Sequence, residues 1–121
     1  MLKIIENKNF CNKMCVDGMY LIDYQEIIVA DKNDKGVLVH EISHYLYSIG
    51  SIKYFDSILN ISSLLGIDFW DVVDIEAVSG MVDDYEVLID ELCAYFFEQV
   101  YMDFPEVILE SHPVYRIVLE R

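Results

Sequence analysis

Val37-Leu38-Val39-His40-Glu41-Ile42-Ser43-His44-Tyr45-Leu46 is the stretch on which the fold turns. It sits inside a helix predicted from about Lys35 to Ile49. The turn Asp31-Lys32-Asn33-Asp34 leads into that helix and ends in a capping residue, and Gly50 stops it. On a helix, residues four apart share a face, separated by about 40°. His40 and His44 can therefore offer two imidazole nitrogens to one tetrahedral ion. Glu41 stands one step round, within reach of a water on that ion but not placed as a third ligand. This is the arrangement a zinc hydrolase needs. Zinc lowers the pKa of its water, and the carboxylate takes the proton as the water attacks a carbonyl. With His40 at 0°, Leu38, Ile42, Tyr45 and Ile49 fall between about 140° and 200°. The expectation is a helix with an apolar back and both histidines facing a cleft.

Outward from this helix the signals are uneven. Residues 1–18 are ambiguous between strand and helix. Met19 to Ala30 is rich in β-branched and aromatic residues and reads as one or two strands. After Gly50, Ser51 is the expected cap of a second helix ending at Gly66, with Ile52, Phe55, Leu59, Ser62 and Leu65 at helical spacing. A third helix is expected over Phe69–Ser79 behind Asp68, and a fourth over Asp84–Tyr101 behind Asp83. Pro105 suits the first turn of a fifth. The tail after Pro113 reads as strand or helix. The fold class expected is α+β: a small N-terminal sheet lying over the helix that carries His40 and His44, followed by a helical C-terminal half.

A chain of 121 residues suits a single domain, and 55% hydrophobic residues can bury a core. No apolar run reaches the roughly 18 residues of a membrane span. The segment MLKIIENKNF has no signal-peptide character, so a cytoplasmic protein is expected. The formal net charge of −14 argues against a nucleic-acid partner and favours solubility or a basic partner. Cys11, Cys15 and Cys93 are an odd set, which argues against a disulfide framework. Cys11 and Cys15, four apart, can meet on one helical turn.

On its HExxH helix the chain resembles the zincin metallopeptidases, over about residues 19–101. Val37 stands three before the first histidine, where that family carries Val or Thr. Ile42, Ser43, Tyr45 and Leu46 supply its uncharged frame. The metzincin extension would need Gly and His where Tyr47 and Gly50 stand, and the aspzincin pattern is not evident. The gluzincins remain, with a third ligand drawn from a Glu in an ExxA pattern. Glu91-Leu92-Cys93-Ala94 matches it. The size resembles the minimal gluzincins, and the layout resembles the ImmA/IrrE-type peptidases of phages and mobile elements.

The resemblance implies a zinc-dependent endopeptidase acting on a peptide or protein substrate. His40, His44 and Glu91 would hold Zn2+, and Glu41 would serve as general base. Glu91 borders the apolar face formed by Tyr85, Ile89, Leu92, Phe96 and Val100; Glu98, Glu76 and Asp90 are the alternative ligands. The 47 residues from His44 to Glu91 exceed the spacing in the most compact gluzincins. His112 is the candidate oxyanion-stabilising residue, with Tyr85 and Tyr95 as alternatives; His112-Pro113 also reads as a simple turn. The strand at Glu26–Ala30 is expected to pair with an extended substrate. Two readings compete: a catalytically inactive zincin-fold protein whose acidic surface binds a basic partner, and a small structural helical domain with no metal.

Overall fold

The computed structural model describes residues 2–80 and 82–120. The order of elements is β1 (Lys3–Glu6), α1 (Lys8–Met14), β2 (Gly18–Leu21), a 3-10 turn (Ile22–Tyr24), β3 (Glu26–Val29), α2 (Lys35–Ser48), α3 (Tyr54–Leu65), α4 (Phe69–Val72), α5 (Ile75–Ser79), α6 (Tyr85–Asp103), α7 (Pro105–Ser111) and α8 (Pro113–Leu119). This is the α+β arrangement expected, with the sheet first and the helices after it. No described helix is long and apolar enough to cross a membrane.

The ambiguous N-terminus holds a strand and a helix. β1 pairs parallel to β3, matching Ile4 with Ile27 and Ile5 with Ile28. β2 pairs antiparallel on the other side, matching Met19 with Ile28 and Tyr20 with Ile27. The sheet order is therefore β1-β3-β2. This corrects the expectation for Glu26–Ala30. β3 has a neighbour on each side and offers no edge to a substrate; β1 and β2 are the edge strands, and of the two β2 borders the cleft at His40 and His44. Cys15 closes α1 in the left-handed conformation at φ 55, off the helix, so Cys11 and Cys15 do not share a turn. Cys11 is buried and Cys15 exposed.

α2 follows its predicted bounds closely. Asp34 caps it by accepting from the Val37 amide, and Gly50 takes φ 75 just beyond its end. The second helix starts later than expected, at Tyr54, and its N-terminus has no side-chain cap, so Ser51 lies outside it. The expected third helix is two short ones. Asp68 caps the first, the chain extends at Val73, and Asp74 caps the second. The fourth helix takes Asp84 rather than Asp83 as its cap. The tail is helical as far as Leu119; Arg121 lies outside the described residues.

The core joins β3 to α2 and α6 through Ile27, Val29, Val39, Ile42, Leu46, Phe96 and Phe97. α8 locks α2 from behind. Tyr115 is fully buried, and its hydroxyl lies 2.7 Å from Ser43 Oγ, which in turn donates to the Val39 carbonyl. Lys35 Nζ donates to the Leu119 carbonyl. The buried face of α2 differs from the expected apolar back. Ile49, assigned to the apolar back, is exposed, while Val39, Ser43 and Leu46 are buried. α2 is a central helix, with the sheet, α6 and α8 all packed against it.

Candidate metal centre

Position along α2 and packing against α6 together build the site. His40, His44 and Glu41 occupy one arc of α2, and α6 brings Asp90, Glu91, Tyr95 and Glu98 to face them. These residues, with the loop before β2 and β2 itself, line a cleft of about 650 Å3. That size lies within the range of small-molecule sites.

Glu91 converges on both histidines. Its Oε1 lies 2.6 Å from His44 Nε2 and its Oε2 lies 3.4 Å from His40 Nε2. The two Nε2 atoms are 3.2 Å apart. Ligands held at about 2.0–2.1 Å in a tetrahedron stand roughly 3.3 Å from one another. The Nε2–Nε2 distance and the longer Glu91 contact match that spacing, and the shorter contact is that of a direct ion pair. One ligand atom from each of the three residues falls within 4.8 Å of the others. The donor set, two imidazoles and one carboxylate, suits zinc.

The far side of each ring meets a carboxylate. His44 Nδ1 is 2.8 Å from Asp90 Oδ1, and Tyr54 Oη donates to that same oxygen at 3.0 Å. His40 Nδ1 is 3.0 Å from Glu98 Oε1. The Glu98 contact is close but poorly aimed, so the buried His40 Nδ1 lacks an aligned hydrogen bond. Asp90 in this place fixes the His44 ring and turns its Nε2 toward a metal; Glu98 stands where a small turn of its side chain would do the same for His40. Asp90 and Glu98, both weighed as ligands from the sequence, thus lie behind the histidines rather than between them.

The charges follow from this crowding. Burial works against charging His40, yet Glu91 and Glu98 outweigh it and lift the ring to about 9. Burial likewise opposes charge on His44, and Asp90 and Glu91 lift it to about 10. Burial would raise Glu91, but the two histidines hold it well below the usual carboxylate range. Glu41, at 7% exposure, is pushed up by burial, with His40 and His44 pulling the other way. So many carboxylates call for a cation at the two Nε2 atoms. Protons supply it in the metal-free protein, and a divalent ion would displace them.

Not every residue singled out from sequence comes to the site. His112 lies outside the cleft. Its Nδ1 accepts from the Val114 amide and caps α8, the turn-forming job that His-Pro performs at a helix start. Tyr85 is 75% exposed at the start of α6, and Glu76 is exposed on α5; neither lines the cleft. Tyr95 does line it, with its ring 4.4 Å from that of His40 between centroids. Burial first, then the carboxylates of Glu91 and Glu98, push its phenol up, so it keeps its proton at neutral pH. Tyr54 was missed. It is buried on α3, and nothing in sequence spacing signals its contact with α6. Comparisons with family models, with curated proteins and with solved structures found no match.

Proposed function

We propose that the chain is a zinc-dependent metallopeptidase that hydrolyses peptide bonds in this cleft. The observation that carries the reading is the convergence of His40 Nε2, His44 Nε2 and Glu91 on one point beside Glu41, each histidine backed by a carboxylate. Bound zinc would supply Lewis acidity toward the scissile carbonyl and toward water.

The chain's own residues divide the remaining work. Glu41 lines the cleft next to the ligands and takes the proton from the attacking water. Burial raises its pKa toward the range of a useful base. Tyr95 keeps a phenolic proton to donate to the developing oxyanion. β2 supports the substrate, since its free edge borders the cleft through Gly18, Met19 and Tyr20 and can pair with an extended chain. The three free thiols suit a reducing compartment such as the cytoplasm.

Zinc content and turnover, measured together on wild type and Glu41→Gln, test the reading. Gln keeps the reach of Glu but cannot take the proton. Zinc should be retained and hydrolysis of a casein or mixed-peptide substrate lost. Full turnover by Glu41→Gln would assign the base elsewhere. Zinc-loaded wild type without turnover on any substrate would favour the inactive binding protein.

A further inference from the structure

Asp17, Glu41, Asp90, Glu91 and Glu98 line the cleft, and among the described residues no Lys or Arg does. Glu41 is more than nine-tenths buried and makes no hydrogen bond to the described residues. A divalent ion on His40, His44 and Glu91 leaves this lining with a formal charge of about −3. The metal therefore does not neutralise the cleft.

The same bias runs through the helical half. Between Tyr54 and Tyr115 the chain has fourteen acidic residues and no Lys or Arg. The other eight acidic residues are matched by all eight basic ones, so the whole net charge of −14 belongs to this half. Some of these carboxylates have local work. Asp68, Asp74 and Asp84 cap helices, and Glu106 pairs with Arg116. Asp56, Asp71, Glu76 and Glu86 are exposed and make no ion pair with the described residues.

We propose that the substrate of this cleft is a basic, extended protein segment, with Lys or Arg within a few residues of the bond that is cut. The inference rests on the metallopeptidase reading and names its substrate class. A neutral chain laid over these carboxylates, of which Glu41 is buried and Asp90, Glu91 and Glu98 half-buried, strips them of water without return, whereas a cation offsets that cost. A concave, single-sign lining also focuses the field and draws cations in. An acidic segment is repelled within the Debye length of about 8 Å. Asp17 is the residue placed to read this charge. It is exposed at the mouth of the cleft, before β2, and its carbonyl is fixed by the Ala30 amide at 2.9 Å. No hydrogen bond or ion pair joins its side chain to His40, His44 or Glu91, so it acts on specificity and not on the metal.

Peptide binding to zinc-loaded Glu41→Gln protein tests this without cleavage. The probes are three labelled peptides of one Ala/Leu frame, bearing Lys, Gln or Glu at the same positions. The Lys peptide should bind at least about tenfold tighter than the Gln peptide, and the Glu peptide weakest of all. Its affinity should fall as salt rises from about 50 to about 300 mM. Adding Asp17→Asn should weaken it severalfold, while adding Asp71→Asn, outside the cleft, should change it less than about twofold. Equal binding of the three peptides, or equal losses from the two Asn changes, would overturn the inference. Zinc content of each sample separates the two claims. Zinc-loaded protein indifferent to peptide charge overturns the substrate class alone. Protein that takes up no zinc yet keeps the Lys preference and its dependence on Asp17 overturns the metallopeptidase reading, and with it the cut bond, and leaves a cleft that binds a basic segment without cleaving it.

Discussion

Tyr54 acts on His44 through a single oxygen, Asp90 Oδ1, which accepts from the phenol and meets the ring Nδ1. Losing the phenol frees that carboxylate to rotate and loosens the ring it orients. Tyr54→Phe should therefore lower zinc affinity by about tenfold, read by competition with a chromophoric chelator. Phe keeps the stacking on Tyr47, where the rings lie 4.3 Å apart at 10°, so helix packing is preserved. Unchanged affinity would make Tyr54 a packing residue only. Glu41 carries the chemical prediction. Glu41→Gln should keep the metal and lower turnover by roughly a hundredfold or more, the scale of a lost general base. An unchanged rate would give this carboxylate another role.

Gly18 shows how closely the elements must approach for the site to form. A Cβ there would lie 2.6 Å from Val37 Cγ1 and 3.3 Å from Glu41 Cγ, so β2 can rest on α2 only without a side chain at this point. Gly18→Ala should cost about 1–3 kcal/mol in urea unfolding, the range for overpacking. An unaffected midpoint would show that β2 shifts freely. α2 and α6 were legible in the sequence because helical spacing, an Asp cap and, for α2, a terminal glycine agree. His40, Glu41 and His44 were legible for the same local reason. The break at Val73-Asp74 was not, since Asp74 is both a tolerable helix residue and a strong cap. β2 and β3 also resist separation, because the turn between them closes on Gln25, in the left-handed region at φ 48, rather than on a glycine. Tyr54, Asp90 and Glu98 gain their roles only when α3 and α6 pack beside α2. No periodicity within one element encodes that.

At the scale of the whole molecule, charge sets what the protein meets and how it responds to pH. With eight basic residues against twenty-two acidic ones, duplex DNA should not bind, and a tight, salt-dependent gel shift would contradict this. Without metal, His40 and His44 have folded-state pKa values raised from 6.5 to about 9 and about 10. Raised values mean that the stabilisation is complete below about 6.5 and is lost as pH rises through the folded values. The chelated protein should therefore melt at a lower temperature at pH 10 than at pH 6, and the zinc-loaded protein should show a smaller fall. A chelated Tm that rises over that range would contradict the assignment. The proposed function depends on His40, His44 and Glu91 forming one metal centre. The most direct measurement is elemental analysis of zinc per chain in wild type, His44→Ala, Glu91→Ala and Glu98→Ala after dialysis. The account predicts about one zinc in wild type, little in the His44 and Glu91 variants, and most of it retained in Glu98→Ala. A wild type without zinc, or His44→Ala and Glu91→Ala as fully loaded as wild type, would contradict it.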